Sequence, residues 1–168
     1  MLGPYRDLSE QNRSELRDFL EHGAEHMDIA RGRVVDLERL LAGGYLTTLD
    51  GPSGELVLIS SRGRRALDIT RWASSASTPD VAAGHVVRRR VRERFEAKGW
   101  QYLRKEDPSL ISLRSPEGKK YYLLCGHGKY GRIGVPRRFR SLKERLMEED
   151  AVLMVVSEEP EKLMGWRR

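Results

Sequence analysis

The sequence predicts a two-domain α+β chain. The N-terminal unit is a set of helices closed by a hairpin; the C-terminal unit runs helix, three strands, helix, strand. Three observations predict this. Hydrophobic spacing switches between helical and strand periods in that order along the 168 residues. The small, polar stretch Ala73-Ser74-Ser75-Ala76-Ser77-Thr78-Pro79-Asp80 interrupts both periods and reads as a linker between domains 1–72 and 81–168. Charge divides at the same place: residues 1–75 hold 10 Lys/Arg and 12 Asp/Glu, a net of −2, and residues 76–168 hold 21 and 13, a net of +8.

In the N-terminal unit, Ser9 followed by Leu16, Phe19 and Leu20 predicts a capped helix over about 9–22, ended by Gly23. Residues 25–32 fit a short helix or a turn equally well. Val34, Leu37, Leu40 and Leu41 share one helical face over about 33–42, and Gly43-Gly44 stops that helix. Strands follow at 45–49 and 55–60, joined by the turn Asp50-Gly51-Pro52-Ser53-Gly54. A last helix is expected over about 62–72, with Ala66, Leu67 and Ile69 on it.

In the C-terminal unit, Val87, Val91 and Phe95 recur at i, i+4 and i+8 and predict a helix over about 82–98 with these residues inward and Gly99 as its stop. Strand-like runs lie at 100–104, 110–114 and 120–125, with Ser115-Pro116-Glu117-Gly118 as the turn between the last two. Residues 110–113 do not alternate, which suits a strand covered on both faces. A basic, glycine-rich loop spans 126–134. Pro136 then opens a helix to about 149, with Phe139, Leu142 and Leu146 inward. Residues 151–157 (AVLMVVS) read as a buried strand, and 160–166 as a short helix.

Composition narrows the function. The formal charge is +6, with 33% charged and 39% hydrophobic residues. No run approaches the roughly 18–20 apolar residues of a membrane span, and the N-terminus lacks the apolar stretch of a signal peptide. A single cysteine, Cys125, excludes an internal disulfide and a Cys-based zinc site. The expectation is a cytoplasmic protein, nucleoid-associated if bound to DNA, with a polyanion as first partner, no membrane and no cofactor. A homodimer is compatible with the same sequence.

The order helix, helix, "L-x-x-L-L-x-x-G-Y-L", hairpin, "S-x-x-G-x-x-A-L" resembles a winged helix over about 60 residues. The resemblance places the helix near 33–42 in a DNA groove, with Arg31, Arg33 and Arg39 able to touch DNA. The alternative is that these arginines solvate a face also carrying Asp36 and Glu38. Against contact stand the unit's net acidity and a hairpin tip, DGPSGE, without Lys or Arg. The α-β-β-β-α-β order of the second unit resembles the PD-(D/E)XK nuclease-like fold. With the winged-helix segment, His85 in "GHVVRRRVRERF" and "YYLLCGHGK", the chain resembles the replication-relaxation family of plasmid and mobile-element proteins, which implies DNA handling.

A nuclease of that fold needs an acid on one strand and E-x-K on the next, to hold Mg²⁺ and orient water. Asp107 is available as the first acid. Leu124 stands where the E-x-K acid belongs, and residues 118–143 contain no carboxylate. Glu117-Gly118-Lys119 spells E-x-K, but in turn chemistry that points the carboxylate off a hairpin tip. His22, His26, His85 and His127 show no metal-ligand spacing, and Cys125 reads as a small buried side chain. No metal site and no catalytic residue are assigned, and the balance lies with a non-catalytic protein. The alternatives are a metal-dependent endonuclease with a displaced site and a protein-interaction or dimerisation module.

The strongest basic signal is 129–145, where Lys129, Arg132, Arg137, Arg138, Arg140, Lys143 and Arg145 face a single acid, Glu144. Arg137, Arg138 and Arg140 are expected in the first turns of the last long helix, where cations oppose the helix dipole and an anion relieves them. The predicted phosphate-backbone site extends to Arg88, Arg89, Arg92, Lys119 and Lys120. The alternative is a solvated basic face without a ligand.

Overall fold

The computed structural model describes residues 8–69, 78–107, 109–126 and 130–157. The chain is α+β and divides into two compact units, Met1–Ala82 and Ala83–Arg168. Of the expected linker, 73–77 lies outside the described residues, whereas Pro79 and Asp80 already belong to a helix.

The first unit opens with α1 (Glu10–His22). Ser9 caps it as expected: its hydroxyl accepts from the Asn12 N–H at 3.1 Å, and the Asn12 side chain accepts back from the Ser9 N–H at 3.3 Å. Residues 25–32 resolve into a two-residue strand, β1 (Glu25–His26), and a helix, α2 (Met27–Arg33). The helix expected over 33–42 is shorter, α3 (Leu37–Ala42). The shortening has a tertiary cause. The side chains of Asn12 and Glu15 on α1 hold the turn before α3, Asn12 donating to Asp36 at 2.9 Å and Glu15 accepting the Val35 N–H at 2.9 Å.

The hairpin consists of β2 (Leu46–Gly51) and β3 (Gly54–Ile59), antiparallel from Leu46↔Ile59 to Gly51↔Gly54, with β1 pairing the other side of β3. The last helix, α4, is Ser61–Ala66, shorter than the expected 62–72, and 70–72 lies outside the described residues. The "S-x-x-G" signature has a geometric explanation. Ser60 caps α4 by accepting from the Gly63 N–H at 3.0 Å, and an added Cβ on Gly63 would stand 2.2 Å from the Tyr45 carbonyl oxygen. Leu16, Phe19, Leu40, Tyr45, Leu46, Val57 and Ala66 join in one core.

In the second unit, α5 (Pro79–Glu96) leads to β4 (Gln101–Asp107), β5 (Leu110–Arg114) and β6 (Lys120–Gly126), then α6 (Tyr130–Glu148) and β7 (Val152–Ser157). The sheet order is β4-β5-β6-β7, with β6 and β7 parallel and the other pairs antiparallel. Val87 and Val91 of α5 pack with Ile111, Leu113, Leu123 and Cys125 on one face. Leu142 and Leu146 of α6 pack with Leu110, Tyr122 and Leu124 on the other. This double cover explains the unbroken burial of 110–113. The expected helix over 160–166 lies outside the described residues.

Two expectations for the last long helix are corrected. It starts at Tyr130, not Pro136, so the latter part of the expected loop is helical and Pro136 lies inside the helix. Phe139 is not inward: it is 41% exposed. Leu142 and Leu146 are the described α6 residues packed on the sheet, and the helical turn carries Phe139 toward the edge of that stripe.

Candidate functional site

The longer α6 changes the electrostatics of its arginines. Arg137, Arg138 and Arg140 stand in mid-helix, not at its positive N-terminus, so the expected relief of the helix dipole by an anion does not apply to them. At about 100° per residue, seven described basic and large apolar side chains of mid-helix divide into three groups around the Leu142–Leu146 stripe. Arg138 and Arg145 turn toward the sheet beside Leu142. Phe139, Arg140, Lys143 and Met147 spread over the outer flank within an arc of about 100°. Arg137 stands about 60° beyond Arg140, turned away from the Leu142–Leu146 stripe. Arg137, Phe139, Arg140, Lys143 and Met147 are all exposed.

The sheet-facing cations are bound to acids. Arg138 pairs with Asp107 at 2.7 Å. Arg145 donates to Glu106 at 3.1 Å and to Glu149 at 3.2 Å. Glu106 also accepts from Arg104 at 2.9 Å and from Ser112 at 2.8 Å. Burial pushes the Glu106 carboxyl up, but these bonds outweigh it and hold the group below its ordinary value. Lys120 bonds Glu149 at 2.8 Å, and Tyr122 donates to the same carboxylate; together they pull Glu149 down to about 2. Lys120 and Arg145 also stand over the Tyr122 ring, at 5.0 and 4.9 Å from its centroid. Glu106 and Tyr122 were not visible as site residues in sequence, because the partners Arg145 and Glu149 that join them lie 23 to 39 residues further along the chain.

Other expected contacts are placed differently. Arg88 and Arg89, taken as part of the phosphate grip, are 3% and 2% exposed and lie off the surface, a correction. The cause is that the first turns of α5 are covered on more than the Val87–Val91 stripe: Ala82, Ala83, His85 and Val86 are buried too. Arg92 is largely covered, beside Glu96 at 3.3 Å and over the Tyr102 ring at 5.6 Å. Lys119 is exposed near Asp150, at 3.8 Å. Lys129 and the side chain of Arg132 lie outside the described residues.

In the first unit, Arg33 pairs at 3.0 Å with Glu25, which is 2% exposed, so its charge compensates a buried carboxylate. Arg31 is exposed beside Asp28 at 3.7 Å, and Arg39 is exposed on α3. A basic segment that sequence reasoning passed over is α4, which carries Arg62, Arg64 and Arg65 with no acid. Arg62 and Arg65 are exposed, and Arg62 lies over the Tyr45 ring at 5.0 Å. The three arginines in four residues were the available signal.

The acids considered for a nuclease site stand apart. Asp107 ends β4, accepting from the Ser109 N–H at 2.8 Å and its hydroxyl at 2.9 Å while its other oxygen holds Arg138. Glu117 lies exposed in the turn at the opposite end of β5, about 14 Å of strand away. Gly118, at φ 88°, closes that turn by donating to the Ser115 carbonyl at 2.9 Å. Leu124 faces Leu110 in register and is buried. Among the described residues no group of three His, Cys, Asp or Glu side chains could hold a metal ion.

His85 is 6% exposed, and neither ring nitrogen has a hydrogen-bond partner among the described residues. Burial, with Arg88, Lys105 and Arg89 nearby, pushes its pKa down to about 3, so the ring is neutral. Cys125 is buried in the core on the α5 face, and burial pushes its thiol up to about 12, far from a nucleophile. His127 lies outside the described residues. No protein-family model, curated protein or solved structure matches the chain.

Proposed function

We propose that this chain is a non-catalytic DNA-binding protein of plasmid or mobile-element type. Its second unit, read as a worn PD-(D/E)XK-like domain, grips the phosphate backbone; its first, read as a winged helix, orients or reads the duplex. The carrying observation is the exposed row of Arg137, Arg140 and Lys143 on α6 in a half of the chain with net charge +8. Phosphate contacts of this kind dominate affinity and make it salt-dependent. The two element orders support the fold readings: helix, strand, helix, helix, hairpin in one unit, and α-β-β-β-α-β with helices on both faces in the other.

The reading is non-catalytic because the carboxylates are otherwise engaged. Asp107 is neutralised by Arg138, and Leu124 occupies the position a second acid would need. The winged-helix reading assigns the first unit the smaller electrostatic share, carried by exposed Arg31, Arg39, Arg62 and Arg65.

The test is a duplex titration of the full chain at several salt concentrations, with Arg137→Ala/Arg140→Ala/Lys143→Ala as comparison. The slope of log affinity against log salt should fall by about 2–3 in the triple variant, near 0.9 per lost phosphate contact. An unchanged slope and affinity would remove α6 as the grip. Plasmid nicking with Mg²⁺ or Mn²⁺ that disappears in Asp107→Ala would replace the proposal with the endonuclease.

A further inference from the structure

We infer that the outer flank of α6 is a stacking surface for an unpaired polynucleotide strand, with Phe139 as the residue that meets a base. The inference rests on the proposed DNA-binding function and deepens it. Phe139 is 41% exposed and Met147 is 73% exposed. Between them on the same flank stand Arg140 and Lys143, both exposed. The described α6 residues in the core are Leu142 and Leu146, and Phe139 is not among the side chains packed there.

Two chemistries are therefore interleaved within one arc of about 100°: a flat aromatic face with a polarizable thioether, and two cations. Charge complementarity selects a polyanion, and the aromatic selects among polyanions. A duplex keeps the faces of its bases inside its own stack and offers the protein phosphates and base edges. An unpaired strand offers both phosphates and free base faces, which matches an exposed aromatic that shares one helix flank with two exposed cations. An acidic protein segment would be drawn to the positive charge of Arg140 and Lys143 but has no systematic use for the ring face.

The experiment uses the full chain and fluorescence anisotropy at one salt concentration, with labelled dT20, rU20 and a 20-base-pair duplex. Phe139→Ala is expected to lower affinity for dT20 by about 5- to 150-fold, the range for loss of one stacked base, while duplex affinity moves less than about twofold. Phe139→Trp should retain dT20 binding. The substitution site is exposed, and circular dichroism checks the fold of each variant. If Phe139→Ala binds dT20 as the parent does, or weakens single strand and duplex equally, the stacking surface is wrong. If the parent binds duplex but neither dT20 nor rU20, the inference falls and the proposed function stands. If the parent binds none of the three, both fall. Stronger loss on rU20 than on dT20 supports the surface and makes RNA its strand.

Discussion

Replacing Gly63 with alanine tests the packing that seats α4 against the foot of the hairpin. A Cβ at this position would stand 2.2 Å from the Tyr45 carbonyl oxygen and 2.8 Å from Ile59 Cγ1. Non-bonded heavy atoms rest at about 3.5–4.0 Å, so α4 and the Tyr45 backbone must separate by more than about 1 Å. Tyr45 is 2% exposed and its carbonyl accepts from the Ser60 N–H at 3.0 Å, so the backbone has little freedom to yield. Overpacking of this kind costs about 1–3 kcal/mol, and a clash with backbone belongs at the upper end. Alanine recovers up to about 1 kcal/mol of helix propensity. The net loss is about 2 kcal/mol. In a unit of this size that lowers the melting temperature by about 8–16 °C. The assay is thermal and urea unfolding of the full chain followed by circular dichroism. Gly32→Ala on α2 is the internal control, because a Cβ there meets nothing within 4 Å; it should be neutral or slightly stabilising. If Gly63→Ala is as stable as Gly32→Ala, the steric reasoning is refuted.

Two further outcomes follow from the second unit. His85 is held neutral with a pKa of about 3 against an ordinary 6.5, so the folded state binds fewer protons than the unfolded state between those values. Its contribution to stability is intact above about pH 6.5 and declines as pH falls toward 3, with a slope approaching about 1.4 kcal/mol per pH unit. His85→Leu should flatten that part of the pH profile in urea titrations, and identical profiles would show that the imidazole does not titrate on unfolding. Cys125, buried with its thiol raised to about 12, should resist a thiol reagent in the native protein and react fully in denaturant; rapid native labelling at neutral pH would contradict its place in the core.

The particular elements show what was legible. The N-cap at Ser9, the Val87–Val91 stripe, the glycine turn at Gly118 and the strand at 152–157 follow from local rules of spacing, capping and turn chemistry, and all appear close to where those rules put them. The break between α2 and α3 does not, because its cause, Asn12 and Glu15, lies about 20 residues earlier in the chain. The start of α6 was missed for a different reason. Proline reads as a helix opener, yet here six helical residues precede it.

Charge shows the same division most clearly. The amount of positive charge in the second half, and the absence of a carboxylate from residues 118–143, are readable in the chain alone, since counts along a chain do not depend on its fold. Which of those cations reach the surface depends on the fold. It buried Arg88 and Arg89, tied Arg138 to Asp107 and Arg145 to Glu106 and Glu149, and placed Arg137, Arg140 and Lys143 at the exposed side of the helix that carries Phe139. A helix of 3.6 residues per turn sends neighbouring arginines in different directions, and whether each meets an acid or water depends on strands that sequence distance does not reveal.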